Sequence, residues 1–245
     1  MSKLFYGKGI PHMDGERLKG KLIVVEGSDG SGRTTQITML RNWLEQQGYA
    51  TVEIGIKRSQ LVAPELEIAQ QSTTLSPMTM ALYYACDFAD QLEHVIIPSL
   101  RANFIVLADR YIYTLIARAI ARRLNKNWIS QLYGIAIKPD AVFYLSVEPE
   151  VLAERTFRKN DTLSYWESGM DVHRQVDLYR SFISYQRKIQ RIFVDLQKDY
   201  GFVVIDGNRS PLIIFEELIG RVKPIIDQAA FEAKSVHESA TQPVK

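Results

Sequence analysis

Three observations predict a three-layer α/β/α domain on a five-stranded parallel sheet. A short apolar run breaks into a glycine-rich turn that opens an amphipathic stretch. Four more short apolar runs follow, separated by segments of helical spacing. No Pro/Gly/Ser-rich linker or internal repeat divides the 245 residues, a length close to the upper range for one hydrophobic core. Strands alternating with helices give parallel sheets covered on both faces, with ligands at the carboxyl edge.

The elements follow in order. LIVVE (22–26) is a buried strand, and Thr34 to Gln47 carries Ile37, Leu40, Trp43 and Leu44 at helical spacing, with Gly48 suited to the helix end. TVEIGI (51–56) resumes as a strand. Helices are expected between Pro64 and Leu100, including a long one after Leu75-Ser76-Pro77, where Ser76 caps and Pro77 takes the first helical position. Phe104 to Ala108 form a strand with Asp109-Arg110-Tyr111 at its carboxyl end, and AVFYLS (141–146) and FVVID (202–206) complete the sheet. Val151 to Tyr200 is helical and charged, with an interruption at 158–171 that suggests a mobile loop. The expected organisation is an N-terminal extension over 1–20, one domain over 21–227 with a helical lid at about 155–171, and a polar tail over 228–245.

Composition narrows the function classes. Hydrophobic residues make up 46% and charged residues 24%, which excludes a disordered or low-complexity chain. The net charge of +2 is far from the basic excess of a nucleic-acid binder, so no nucleic-acid partner is expected. No run reaches the length of a membrane span and the first residues lack a signal-peptide core, so a cytoplasmic protein without membrane partners is expected. The lone Cys86 can make no internal disulfide and is expected to be buried. His12, His94, His173 and His237 lack metal-site spacing.

The chemistry concentrates in Gly27-Ser28-Asp29-Gly30-Ser31-Gly32-Arg33-Thr34, followed by Thr35. This is the spacing of a phosphate-binding loop, with Arg33 where a lysine is expected. The glycines let the backbone curl so that N–H groups converge on phosphate, and the helix start adds its positive dipole end. A plain strand-to-helix turn is the alternative; the flanking strand, the amphipathic helix and Thr34-Thr35 favour phosphate. Thr34 is the candidate Mg2+ ligand through its hydroxyl, with Asp109 on a neighbouring strand end supporting the ion. Arg33 can neutralise phosphate, but its planar fork differs from a lysine's compact charge.

With these residues the chain resembles the thymidylate kinase family of P-loop nucleoside monophosphate kinases. The resemblance rests on VVEGSDGSGRTTQ (24–36), the helix region 75–100, VLADRYIY (106–113) and KPDAVFYLSVEPEVLAERTFRK (138–159), in that order. It implies a P-loop NTPase fold and transfer of phosphate from ATP with Mg2+ to a nucleoside monophosphate. Within that site Asp29 faces the acceptor sugar and the metal, and Asp109 and Arg110 lie on the acceptor side, with Arg110 clamping the acceptor phosphate. Tyr84 stacks on the base or is simply a core tyrosine. Arg155 and Arg158, one helical turn apart, form a basic lid or a solvated helix face. Arg118, Arg122, Arg123 and Lys126 make a basic run that could attract a nucleotide, although such a run is more often the solvated face of a helix. A homodimer is expected. Departures from the family pattern fall on the acceptor side: GIKRS (55–59) replaces its usual turn, Phe88 stands where an arginine is common, and Leu115 and Arg118 replace polar residues. The leading expectation is a thymidylate kinase-like enzyme with loosened or displaced acceptor selectivity. The competing readings are a nucleotide-binding accessory protein of attenuated turnover and a kinase for another phosphate acceptor.

Overall fold

The computed structural model describes residues 4–11, 13, 18–71, 75–160, 163, 165–172 and 177–240, with side chains omitted at 71, 160 and 228–240. Strands β1 (Lys21–Gly27), β2 (Thr51–Gly55), β3 (Ile105–Asp109), β4 (Ala141–Ser146) and β5 (Val203–Asp206) form one parallel sheet in the order β2-β3-β1-β4-β5. The central β1 sets Val24 opposite Ala108 of β3 and Val142 of β4. The connection from β1 leads to β2 on one side and that from β4 to β5 on the other, so the chain reverses direction across the sheet and opens a crevice at its carboxyl edge.

Side-chain alternation assigns the two faces. Leu22, Val24, Val106, Ala108, Val142 and Tyr144 point into one core, while Ile23, Val25, Leu107, Phe143 and Leu145 point into the other. The second face is covered by α1 (Arg33–Gln46) through Ile37, Leu40 and Leu44 and by α9 (Pro211–Ala240) through Leu218 and Val222. The first face carries α3 (Pro77–Gln91), α5 (Ile112–Ala121) and α8 (Leu178–Tyr200). The remaining helices are α2 (Ala63–Gln71), α4 (Ile97–Arg101), α6 (Lys126–Leu132) and α7 (Pro149–Asn160). Ser76 caps α3 by accepting the Thr79 N–H at 3.2 Å, with Pro77 opening the helix. The helix passes through a π turn at Leu92–Ile96 into α4, placing Pro98 where a regular ladder would lose a hydrogen bond.

One feature differs from the sequence expectation, and two add to it. Cys86 is exposed: α3 turns Tyr84, Asp87 and Phe88 inward, and Met78, Leu82 and Cys86, at four-residue spacing, lie on its outer side. Part of the N-terminal extension packs on the domain, because Phe5 bridges Ile137 antiparallel and is buried with Met13. Helix α9 continues to Ala240, beyond the residue at which the apolar pattern ends. Among the described residues no helix is long and apolar enough to cross a membrane.

Candidate active site

The loop between β1 and α1 lies at the carboxyl edge of the sheet. Gly30 has φ 81°, and a Cβ there would sit 2.8 Å from Thr156 Oγ1 and 2.9 Å from the Leu152 carbonyl, so only glycine lets the loop lie against α7. Gly32, at φ 91°, opens α1 without a side-chain cap, which leaves the N–H groups of its first turn to a ligand. The Ser31 N–H closes the turn on the Ser28 carbonyl at 3.1 Å. Ser28 Oγ is buried without a hydrogen-bond partner, whereas Thr34 and Thr35 at the helix start are exposed.

Arg33 is buried beneath this loop. Its Nε donates to Asp109 at 2.8 Å, its Nη2 lies 3.5 Å from Asp29, and Nη1 donates to the carbonyl oxygens of Gly27 and Ser28. The residue in the lysine position therefore also ties the loop to β3. Thr34 Oγ1 donates to the other Asp109 oxygen at 2.8 Å, which brings the two candidate metal ligands together. Asp29 takes Arg110 as an ion-pair partner and Arg118 as a second at 3.2 Å. Burial disfavours its charge, but the guanidinium groups of Arg110, Arg33 and Arg118 outweigh burial and hold its carboxyl below the usual carboxylate range. Asp109 is shifted the same way: burial is overcome chiefly by Arg33.

A carboxylate whose folded pKa lies below its unfolded value, about 3.9 for Asp, stabilises the fold fully above that value and loses the contribution as pH falls toward the folded pKa. Asp29→Asn should therefore lower the melting temperature near neutral pH, and the gap from the parent should shrink below about pH 4. Thermal melts across the acid range test this; a gap equal at pH 3 and pH 7 would show that the charge of Asp29 is not its origin.

Arg110 follows β3 in a left-handed conformation, φ 71°, which stores backbone strain at the site, and its buried Nε has no partner. Glu26, fully buried at the end of β1, holds the backbone on the other side of it. Its carboxylate accepts from the Tyr111 N–H at 2.9 Å, the Thr114 N–H at 3.3 Å and the Thr114 hydroxyl at 2.5 Å, so it caps α5 from a different element. Burial pushes the Glu26 pKa up, against the pull of these bonds.

Beside Arg110 opens a cleft whose walls include Tyr84, Leu115, Arg118, Trp166 and Glu167. Tyr84 is mostly buried, and its hydroxyl accepts from Gln70 Nε2 at 2.6 Å. Phe88 lies edge-on to Tyr111 and Tyr133 in the core. Its neighbour Asp87 accepts the backbone N–H groups of Lys57 and Ser59, each at 2.9 Å, and so shapes the GIKRS turn.

The basic run on α5 is not a uniform solvated face. Arg118 joins Asp29, and Arg122 is buried, donating to both Asp171 oxygens at 2.6 and 3.1 Å and to Tyr185 Oη at 2.6 Å, with its guanidinium near the Trp166 and Tyr185 rings. Only Arg123 and Lys126 are exposed. Arg122 thereby fastens the 165–172 segment over the cleft. The lid arginines diverge, contrary to the shared face expected of them. Arg155, whose Cβ is 3.5 Å from a Cβ placed on Gly30, donates to the Gly207 carbonyl at 3.1 Å, while Arg158 is 78% exposed and pairs with Glu154 at 2.6 Å. The first is drawn to the end of β5, and the second, a turn farther out, finds its partner on its own helix.

Glu26, Trp166 and Glu167 are site residues that the sequence reading passed over. A glutamate closing an apolar strand was a usable signal for Glu26; the others had none. Among the described residues no three His, Cys, Asp or Glu side chains cluster as a metal site, and His12 and His173 lie outside them.

A thymidylate kinase family model matches residues 25–218. A probable thymidylate kinase 2 of Saccharolobus solfataricus is 35% identical over 195 residues, covering 78% of this chain and 90% of its own. A probable thymidylate kinase of Pyrococcus horikoshii is 31% identical over 167 residues, 65% of this chain and 80% of its own. The thymidylate kinase of Caldicellulosiruptor saccharolyticus is 33% identical over 174 residues, with the same two shares.

Proposed function

This chain belongs to the thymidylate kinase family of phosphotransferases, and from that premise we propose that it transfers the γ-phosphoryl group of ATP to thymidylate, giving thymidine diphosphate and ADP. The observation that carries the proposal is the meeting of a phosphate-type loop with two buried, unpartnered donors, Ser28 Oγ and Arg110 Nε. Buried donors without partners are rare in folded proteins, and here they border the loop and the adjoining cleft.

In this reading ATP lies along Gly27 to Thr35, with its phosphates on the loop N–H groups and the start of α1. Arg33 supplies positive charge at the β- and γ-phosphates. Arg110 clamps the acceptor phosphate, with Asp29 orienting its guanidinium, and Arg155 guards the loop from α7. Phosphoryl transfer needs alignment and charge neutralisation more than covalent help from the protein, which suits a site rich in cations. The donor set also fits Mg2+: a threonine hydroxyl and a carboxylate kept ionised are hard oxygen ligands, and this ion retains several waters. Thr34 and Asp109 would hold it, and when bound it neutralises phosphate charge. The activity is assigned to residues 21–227 in the cytoplasm, with 155–171 as lid. A homodimer belongs to the reading, the exposed Met78 and Leu82 on α3 offering an apolar face; sedimentation of the purified chain tests it.

ADP release measured across a panel of nucleoside monophosphates tests the function. Thymidylate should be phosphorylated, with a preference over the next acceptor below about a thousandfold, because Arg118 and Leu115 line the cleft. Transfer to no monophosphate would reject the proposal. Calorimetry tests the metal assignment: Thr34→Ala and Asp109→Ala should each weaken Mg2+-dependent ATP binding by about tenfold while leaving the Mg2+-free affinity nearly unchanged. Parent affinity in both variants would remove these residues as ligands.

A second reading, a nucleotide-binding accessory protein of low turnover, is favoured by one observation. The Arg33 guanidinium is already engaged by Asp109 and the loop carbonyls, which compete with phosphate for it.

A further inference from the structure

Two consecutive residues of β1 grip the chain where it leaves β3. The parallel ladder between these strands ends with Val25 opposite Asp109. One residue on, the Arg110 N–H still donates to the Val25 carbonyl at 3.1 Å. The chain then turns away, through the left-handed Arg110 and the extended Tyr111, into α5. The N–H of Tyr111 and both the N–H and the hydroxyl of Thr114 go to the carboxylate of Glu26, whose side chain is fully buried. Helix α5 has no side-chain cap of its own and no acidic residue in its first turn, so no local group stands in for Glu26.

Arg110 is thus held at two places, its guanidinium by Asp29 and its backbone by Val25 and Glu26. A non-glycine residue in the left-handed region persists only where its surroundings over-determine it. The residue after Glu26 is Gly27, which starts the phosphate loop, so one strand end carries the loop and the grip on Arg110 together. We propose that Glu26 is a positioning residue for phosphoryl transfer, holding Arg110 in register with the phosphate loop without touching either substrate. The proposal deepens the reading of Arg110 as the clamp on the acceptor phosphate and rests on it. Transfer needs donor and acceptor phosphates aligned, and a misplacement of about 1 Å can cost about a hundredfold in rate. The role is geometric rather than ionic. A glutamine at this position can accept both N–H groups through Oε1 and donate its amide hydrogen to Thr114 Oγ1, which keeps the grip.

Glu26→Ala should lower kcat/KM for thymidylate at least about tenfold, while the calorimetric affinity for ATP stays within about threefold of the parent. Glu26→Gln should be at least about threefold faster than Glu26→Ala. Because Glu26 acts through Arg110, adding Glu26→Ala to Arg110→Ala should cost less than about a further threefold in kcat/KM. A smaller loss in Glu26→Ala, an ATP affinity that falls in parallel, a Glu26→Gln variant as slow as Glu26→Ala, or a larger further loss in the double variant would each overturn the proposal. Should Glu26→Ala not fold, Thr114→Val decides, since it removes one of the three donors. A kcat/KM for thymidylate lowered at least about threefold at parent ATP affinity supports the role, and a smaller change overturns it. Failure of the kinase reading is distinguishable. If the parent transfers phosphate to no monophosphate, calorimetry with thymidylate and with thymidine, which lacks the phosphate, still decides. Glu26→Ala should weaken binding of the first and not of the second; an unchanged thymidylate affinity, an equal loss for both, or no thymidylate binding to the parent overturns the proposal.

Discussion

Arg33→Ala should lower single-turnover phosphoryl transfer by at least about a hundredfold, near 2.7 kcal/mol, and destabilise the fold as well. The kinetic part follows from position. A cation at the helix start that meets the β- and γ-phosphates more strongly in the transition state than in the bound ground state lowers the barrier, so its loss should fall on turnover more than on ATP affinity. The stability part follows from burial. Arg33 is 6% exposed and pairs with Asp109 at 2.8 Å, and removing one partner of a buried pair costs about 3–5 kcal/mol. For a domain of this size that corresponds to a fall in melting temperature on the order of 10 °C. Arg33→Lys keeps the charge but cannot reach Asp109 and both loop carbonyls through one planar fork, so it should retain measurable transfer with intermediate stability. Parent-like transfer by Arg33→Ala would move the catalytic role to another cation, with Arg155 beside the loop as the first to test. Transfer that appears only in Arg33→Lys would favour the accessory-protein reading.

The second large effect is expected at Arg110. Arg110→Ala should reduce kcat/KM for thymidylate by about a thousandfold, near 4 kcal/mol, while ATP affinity changes by less than about threefold. Its guanidinium is buried and anchored on Asp29, leaving Nε free to donate, which suits a charge-assisted bond to the acceptor phosphate. Arg110→Lys separates charge from geometry: with the charge kept and the fork lost, much of the kcat/KM deficit should remain. Because Asp29 retains Arg118 and Arg33, the loop should hold its place in both variants. Steady-state kinetics with each substrate varied in turn is the check. An unchanged KM and kcat for thymidylate would show that Arg110 serves only as the structural partner of Asp29.

The sequence by itself determined the parts that local chemistry dictates. Five strands, the glycine turn from β1 into α1, the Ser76-Pro77 start of α3 and the strand-end placement of Asp109 were all legible, because each rests on side-chain periodicity or on backbone preferences within a few residues. The grouping of Gly27–Thr35 with Asp109 and Arg110 was legible for a related reason, since parallel strands bring their carboxyl ends to one edge. What only the tertiary structure decided were the partners. Glu26 meets Thr114 across 88 positions of chain, Arg118 meets Asp29 across 89, and Arg122 meets Asp171 across 49. A run such as Arg118, Arg122, Arg123 and Lys126 reads as one charged face until packing pairs its first two members with carboxylates and leaves the others exposed. The same holds for Arg155 and Arg158, whose spacing is fixed by the helix while their directions are set by a carbonyl at the end of β5 and a glutamate on α7. Helix and strand periods say which side chains share a face; the opposing face that satisfies or strands their polar atoms is set by long-range packing, and that is where this site acquires its charges.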